Sequence, residues 1–251
     1  LNWRLLRCSI PTWKPFDPKF LHRGRALSEA YVHNRLGGEP FASTADPTFC
    51  SGSRAKVCNG TCGRRLLMNE LRRKALIARR EMSREARAKS SAPICKLVLR
   101  SREFNASNVV GCYLPMTDEV DTLEIYERAW RAHPRIFVPV LFGRQEMLFR
   151  EFRPETTLRR NSFGLWEPES GETISPRKLD VVITPTVAYD EKNNRIGMGG
   201  GYFDRCFSFL RCRRQWFRPK LIGVAFTLQK VEKITPNVWD IRLYKVISDA
   251  D

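Results

Sequence analysis

The 251-residue chain contains no apolar run approaching the roughly 20 residues that cross a bilayer, so nothing in it reads as a transmembrane helix. A soluble protein is expected. With only three histidines and no Ser/His/Asp or Cys/His arrangement, it also lacks the commonest designs for nucleophilic hydrolysis. His133, followed by Pro134 at a predicted helix end, has no expected catalytic role. The eight cysteines, at 8, 50, 58, 62, 95, 112, 206 and 212, form no regular framework. Cys58 and Cys62 have ligand-like spacing, but no second Cys/His pair completes four zinc ligands. Cys95, Cys112 and Cys206 lie in apolar contexts and read as small core residues, a usage that fits a reducing compartment. Acidic residues are scarce as well. Against 44 Lys+Arg stand 27 Asp+Glu, a formal net charge of +17. Such a surface draws polyanions, whether nucleic acid, an anionic membrane or phosphorylated and carboxylated small molecules. No RNA-binding motif is present and the basic stretch near residue 72 has no interleaved aromatics. A solvated basic surface explains the charge as readily as a nucleic-acid face does, and a non-catalytic RNA-binding protein is the alternative function.

Glycine is concentrated in one place. The stretch Arg195-Ile196-Gly197-Met198-Gly199-Gly200-Gly201-Tyr202-Phe203-Asp204-Arg205 carries four glycines within five residues. It follows a hydrophobic strand, residues 179–190, and the turn Glu191-Lys192-Asn193-Asn194, and it precedes a helix-like run. Without Cβ atoms in the way, its N–H groups can close on a phosphate chain. A tight turn closing a strand–helix unit is the plainer alternative. The terminal Lys-Ser/Thr of a Walker loop is missing. Asp204 puts a carboxylate where a phosphate-bound Mg²⁺ would sit, or else serves as an ordinary acid in a helix's first turn.

Elsewhere the pattern alternates. From Glu70, the positions Leu71, Ala75, Ala78, Met82 and Ala86 form the stripe of an amphipathic helix, with Arg72, Arg73, Lys74, Arg79 and Arg80 on the other, solvated face. Ser83 is placed to cap a second helix, with Glu85 in its first turn and Pro93 kinking or restarting it. A strand at 109–115, a helix at 123–132 and a parallel strand at 135–140 follow. A hairpin strand at 147–152, a loop at 163–169, the 179 strand, a helix at 202–213 and strands at 220–226 and 244–248 complete the chain. This order predicts a three-layer α/β/α fold with a largely parallel, mixed sheet in a single domain, residues 68–251. Residues 1–67, with scattered Pro, Gly, Ser and Trp, are expected to form an irregular or disordered N-terminal extension. Ligands of such sheets gather beyond the carboxyl ends of the strands, where three sequence-distant blocks would converge.

Those blocks are the glycine stretch, Tyr113-Leu114-Pro115-Met116-Thr117-Asp118-Glu119-Val120-Asp121-Thr122, and Val231-Glu232-Lys233-Ile234-Thr235-Pro236-Asn237-Val238-Trp239-Asp240. Their order and wording resemble the 5-formyltetrahydrofolate cyclo-ligase family, across about residues 68–248. The resemblance implies a monomeric enzyme that closes 5-formyltetrahydrofolate to 5,10-methenyltetrahydrofolate, with ATP as co-substrate and Mg²⁺ as cofactor. It further implies that Arg72, Arg195, Ile196, Gly197, Met198, Gly199, Gly200, Gly201, Tyr202 and Phe203 hold ATP. Leu114, Met116 and Glu119, with Met198, Gly199, Gly200, Gly201 and Tyr202, would hold the folate. Asp204 and Asp240 would take the metal, Asp240 being otherwise a loop carboxylate paired to Arg242. Arg195 and Tyr202 would be catalytic, while Tyr113 and Trp166 read as packing.

Two departures stand out. Many relatives place a Lys at the Gly200 position, so the charge must come from Arg72, Arg195 or Arg205. A second basic residue of the first helix is replaced by Met68, with Arg64, Arg65 or Arg73 as substitutes. Met68 looks like a natural start for bacterial members. The preceding residues then read as upstream sequence of an over-long reading frame, and the protein as cytoplasmic. A transit peptide, making it mitochondrial, is the other reading.

Overall fold

A computed structural model describes residues 61–132, 134–143, 146–212 and 218–251. Cys58, His133, Arg213 and residues 1–60 of the expected extension lie outside them. Helix α1, Thr61–Glu81, starts upstream of both Glu70 and Met68, so the boundary expected after residue 67 falls inside a helix. The straight-chain residues Arg64, Arg65, Leu66 and Leu67 favour helix strongly enough to extend it backwards. Ser83 breaks the run and caps α2, Arg84–Arg100, by accepting from the Ala86 N–H at 3.1 Å. Ala86 therefore belongs to α2 and not to the α1 stripe. Pro93 neither ends nor restarts α2, whose residues Ser91, Ile94, Cys95 and Val98 are buried around it. A short α3, Arg102–Asn105, leads into the sheet.

The main sheet comprises β1 (Val109–Cys112), β2 (Arg135–Phe142), β3 (Glu146–Glu151), β6 (Thr173–Ile174), β7 (Val181–Pro185), β10 (Lys220–Val224) and β11 (Lys245–Ile247), in the order β11-β10-β7-β1-β2-β3-β6. From β11 through β2 the strands are parallel; β3 and then β6 add on antiparallel. Helix α4, Leu123–Ala132, makes the crossover between β1 and β2. Strands β4 (Leu158–Arg160) and β5 (Trp166–Pro168) pair as a separate ribbon, so part of the expected 163–169 loop is strand. The Arg160 guanidinium lies 4.9 Å from the Trp166 ring centroid, a contact that holds this ribbon.

Period-two alternation sorts the side chains into two cores. Val110, Cys112, Ile136, Val138, Val181, Ile183, Ile222 and Val224 face Ile94, Cys95 and Val98 of α2 and Ile125, Tyr126 and Ala129 of α4. Phe137, Phe149, Val182 and Leu221 face Phe207, with Tyr202, Phe203, Phe209 and Leu210 around it. The layers are thus helix, sheet and a thinner helical cover, all within one compact unit of the chain, residues 51–251. The cover corrects the helix expected over 202–213: α5 is only Tyr202–Cys206, followed by a 3₁₀ turn, Ser208–Cys212. Breaking at Phe207 keeps Phe203 and Phe209 each about 6 Å from its ring (6.0 and 6.1 Å), and burying that aromatic group outweighs a longer helix.

Gly111 lies between these layers. A Cβ there would come within 2.9 Å of Phe149 and 3.2 Å of Leu179 and Val182. Gly111→Ala should therefore lose about 1–3 kcal/mol by overpacking, read as a lower urea midpoint with an unchanged slope. An unchanged midpoint would show that the layer gives way freely.

Candidate active site

The sheet changes direction at β1. The chain leaves β1 for β2 on one side, while β7, β10 and β11 are laid down on the other. Crevices for ligands open where such a reversal occurs, beyond the carboxyl ends of the two central strands. Beyond β1 lie residues 113–122; beyond β7 lie the small hairpin of β8 (Ala188–Tyr189) and β9 (Arg195–Ile196), then the glycine loop.

Asp190 builds that hairpin. Its Oδ1 accepts from the N–H groups of Lys192 (3.0 Å) and Asn194 (2.9 Å), and its Oδ2 from Asn194 Nδ2 (2.9 Å) and the Ile234 N–H (3.0 Å). Burial pushes its carboxyl up, but these bonds outweigh it and leave the pKa below the usual carboxylate range. Asn193, at φ 60°, adopts a left-handed conformation that asparagine tolerates better than bulkier residues, and its carbonyl accepts from the Leu243 N–H at 3.0 Å. The 234–243 segment is thereby fastened beside the glycine loop.

Within the loop, Gly199 and Gly201 have φ of 103° and 65°, conformations that side chains strain to adopt, whereas Gly200 does not. The Gly200 backbone is thus one that a side chain can adopt, but the Tyr202 ring 3.0 Å from its Cβ direction would have to give way. A Cβ on Gly197 would meet the Arg195 guanidinium at 2.9 Å. A side chain there would have to displace that guanidinium.

Three arginines bracket the loop. Arg72 of α1 donates from Nε to the Gly197 carbonyl at 2.8 Å, and from Nη1 to Asn69 Oδ1 at 2.6 Å. Arg205 donates to the Gly200 carbonyl at 2.8 Å and lies over the Tyr202 ring. Arg195 has a side chain only 5% exposed, paired from Nη2 to Asp204 Oδ1 at 3.0 Å, with its guanidinium carbon 5.4 Å from the Phe203 ring centroid. Its Nε is buried without a partner, a donor left over in the site. Burial lowers the pKa of Arg195, opposed by Asp204 and then Asp240; burial also lowers that of Arg72, opposed by Asp240. Both stay charged at neutral pH. Of the proposed substitutes, Arg73 is tied to Glu70 in an exposed pair and Arg64 and Arg65 are exposed. Met68 packs with Leu71 and Ala75 against Val187 and Ile196.

Asp204 is tied to the segment that carries Asp240. Asp204 Oδ1 also accepts from the Ile241 N–H at 3.1 Å, which seats Asp240, the residue before, next to it. Asp240 takes its own bonds through Oδ2, from Asn237 N at 2.7 Å and Nδ2 at 3.2 Å. Arg242, the partner expected for a merely structural Asp240, bonds instead to the Lys192 carbonyl. Among the described residues no group of three His, Cys, Asp or Glu converges as a ready-made metal cage. Two carboxylates suit a cation that brings phosphate and water oxygens of its own, as Mg²⁺ does.

The block after β1 is reached along the same helix. Two turns beyond Arg72, about 10 Å along α1, Arg79 is fully buried and holds Asp118 Oδ2 from Nη2 (2.8 Å) and Nε (3.1 Å). Its Nη1 lies 3.8 Å from Glu119 Oε1, and Glu119 Oε2 accepts from the Met116 N–H at 3.0 Å. Leu114 is half-buried against the core, Met116 half-exposed, and Tyr113 buried with its hydroxyl donating to the Val120 carbonyl. Arg79, expected on a solvated face, is instead buried against Asp118 and Glu119. The spacing holds the signal: Arg79 follows Ala75 by four and precedes Met82 by three, so it lies on the buried stripe.

An α/β scaffold that gathers cationic groups, bare backbone and carboxylates at its chain-reversal crevice is a small-molecule enzyme by class. The model of the 5-formyltetrahydrofolate cyclo-ligase family matches residues 67–249, and the chain belongs to that family. It is 35% identical over 148 residues to the 5-formyltetrahydrofolate cyclo-ligase of Escherichia coli K12, covering 57% of this chain and 79% of that one. To the Haemophilus influenzae 5-formyltetrahydrofolate cyclo-ligase it is 32% identical over 142 residues, 55% and 74% respectively. The solved structure of the Aquifex aeolicus 5,10-methenyltetrahydrofolate synthetase superposes with a TM-score of 0.65 at 28% identity, over 74% of this chain and 91% of that one.

Proposed function

We propose that the chain closes 5-formyltetrahydrofolate to 5,10-methenyltetrahydrofolate at the expense of ATP. The observation that carries this reading is the Asp204–Arg195–Ile241 junction, which gathers Asp240 and two arginines around the glycine loop while α1 leads on to Glu119. A formyl amide oxygen leaves poorly. Transfer of the γ-phosphoryl group onto it breaks the bond to ADP and makes the carbon electrophilic. N10 then attacks that carbon, the C–O bond breaks with loss of phosphate, and N10 gives up its proton to solvent. Such chemistry needs positioning and charge neutralisation more than a covalent partner.

Arg72, Arg195 and Arg205 neutralise the phosphate charge, and Gly197, Gly199, Gly200 and Gly201 let the backbone approach the phosphates, with Ile196, Met198 and Phe203 shaping that wall. Glu119 accepts from the pterin's amino and N–H donors, flanked by Leu114 and Met116, and Tyr202 stacks on the ring. Asp204 and Asp240 would hold Mg²⁺, which would supply positive charge against that of the phosphates. The same reading has the protein acting as a cytoplasmic monomer on small molecules. Among the described residues no helix is long and apolar enough to cross a membrane. Incubating purified protein with 5-formyltetrahydrofolate, ATP and Mg²⁺ should yield the methenyl chromophore, and omission of ATP should suppress it. Product formation independent of ATP, or none at all, would overturn the assignment.

A further inference from the structure

Arg79 is 1% exposed, too enclosed to touch a substrate, yet it is the one buried cation between α1 and the loop after β1 among the described residues. A buried guanidinium is costly unless its partners define its place. Its partners are Asp118, held by two nitrogens, and Glu119, itself 7% exposed and clamped by the Met116 N–H. From the other side, Arg87 of α2 donates to the Thr117 carbonyl at 2.8 Å and to the Met82 carbonyl at the end of α1, also 2.8 Å. Residues 116–119 are therefore pinned between two helices by two arginines. One of those helices also carries Arg72 against the Gly197 carbonyl.

We infer that Arg79 is a positioning residue for the folate half of the site. It offsets the charge of Glu119, fixes its carboxylate toward the crevice, and sets the spacing between that carboxylate and the glycine loop through a rigid helix. The inference rests on the reaction proposed above and goes beyond it, because it gives a residue without substrate contact control over one substrate and not the other. A general packing role would weaken both substrates alike.

The test compares Arg79→Met, Arg79→Lys, Glu119→Gln and the Arg79→Met/Glu119→Gln double variant with the unmodified protein. Steady-state kinetics in each substrate are paired with calorimetric titration of 5-formyltetrahydrofolate alone. Arg79→Met should raise KM for 5-formyltetrahydrofolate by about tenfold or more while KM for ATP moves less than about threefold. Arg79→Lys, which keeps the charge but not the two-nitrogen grip, should recover part of the loss. In the Glu119→Gln background the same Arg79→Met change should cost much less, since the two act as a unit. Should Arg79→Met not fold, the Arg79→Lys cycle with Glu119→Gln carries the same comparison. Equal rises in both KM values, or strictly additive effects, would overturn the inference while leaving the reaction in place. If the unmodified protein neither binds nor converts 5-formyltetrahydrofolate, the reaction falls and the inference with it.

Discussion

Asp204→Ala is expected to lower kcat/KM at least about a thousandfold and to cost about 3 kcal/mol of stability, whereas Asp204→Asn should show the first effect with little of the second. The carboxylate has two duties at one oxygen. Oδ1 pairs with Arg195 Nη2 and receives the Ile241 N–H. Alanine removes both, leaving a buried guanidinium whose Nε already lacks a partner and removing one of the bonds that seat the segment carrying Asp240. Asparagine keeps an acceptor oxygen for both of these bonds and a similar volume, but no negative charge for a cation or for Arg195. Urea unfolding and steady-state turnover on both variants separate the two duties. Normal turnover in Asp204→Asn would mean that the carboxylate is only a brace for Arg195, and the metal would have to be held elsewhere.

The sheet was legible because near-continuous apolar runs such as 181–185 and 220–224 mark strands buried on both faces, and helix 123–132 is bounded by its own pattern. Where the reading went astray, a tertiary contact decided. Phe207 ended α5 early because its ring is worth more against Phe149 and Phe203 than in a continued helix. The β8–β9 hairpin, only two residues on each side, depends on Asp190 reaching across to the Ile234 N–H, a link 44 residues apart that no local pattern announces. The loop glycines were easy to find, but which of them needs positive φ was not: Gly199 and Gly201 do, Gly200 does not. Arg79 was misplaced because charge was allowed to overrule spacing. Arginine is seldom fully buried unless paired, and the partner that permits it here, Asp118, lies 39 residues away where no local pattern announces it.

Asp240→Asn isolates the remaining carboxylate more cleanly than any change at Asp204. The side chain closes its own turn by accepting from the Asn237 backbone and amide through Oδ2, and an asparagine oxygen accepts the backbone bond equally well. Asp240 is only half-buried and the neighbouring Arg242 is engaged with the Lys192 carbonyl, so no buried cation is orphaned by the change. Stability should stay within about 1 kcal/mol. What disappears is the negative charge that supports both Arg72 and Arg195. Turnover should therefore fall about a hundredfold or more, and, on the proposed metal site, the Mg²⁺ concentration needed for half-maximal rate should rise, because the cation would lose one of its two anionic anchors. The pairing of an unshifted urea midpoint with a shifted Mg²⁺ dependence is the diagnostic result. Were the rate and the Mg²⁺ requirement both unchanged, Asp240 would be a turn residue alone, and the nucleotide half of the crevice would have to be redrawn around Asp204 and the three arginines.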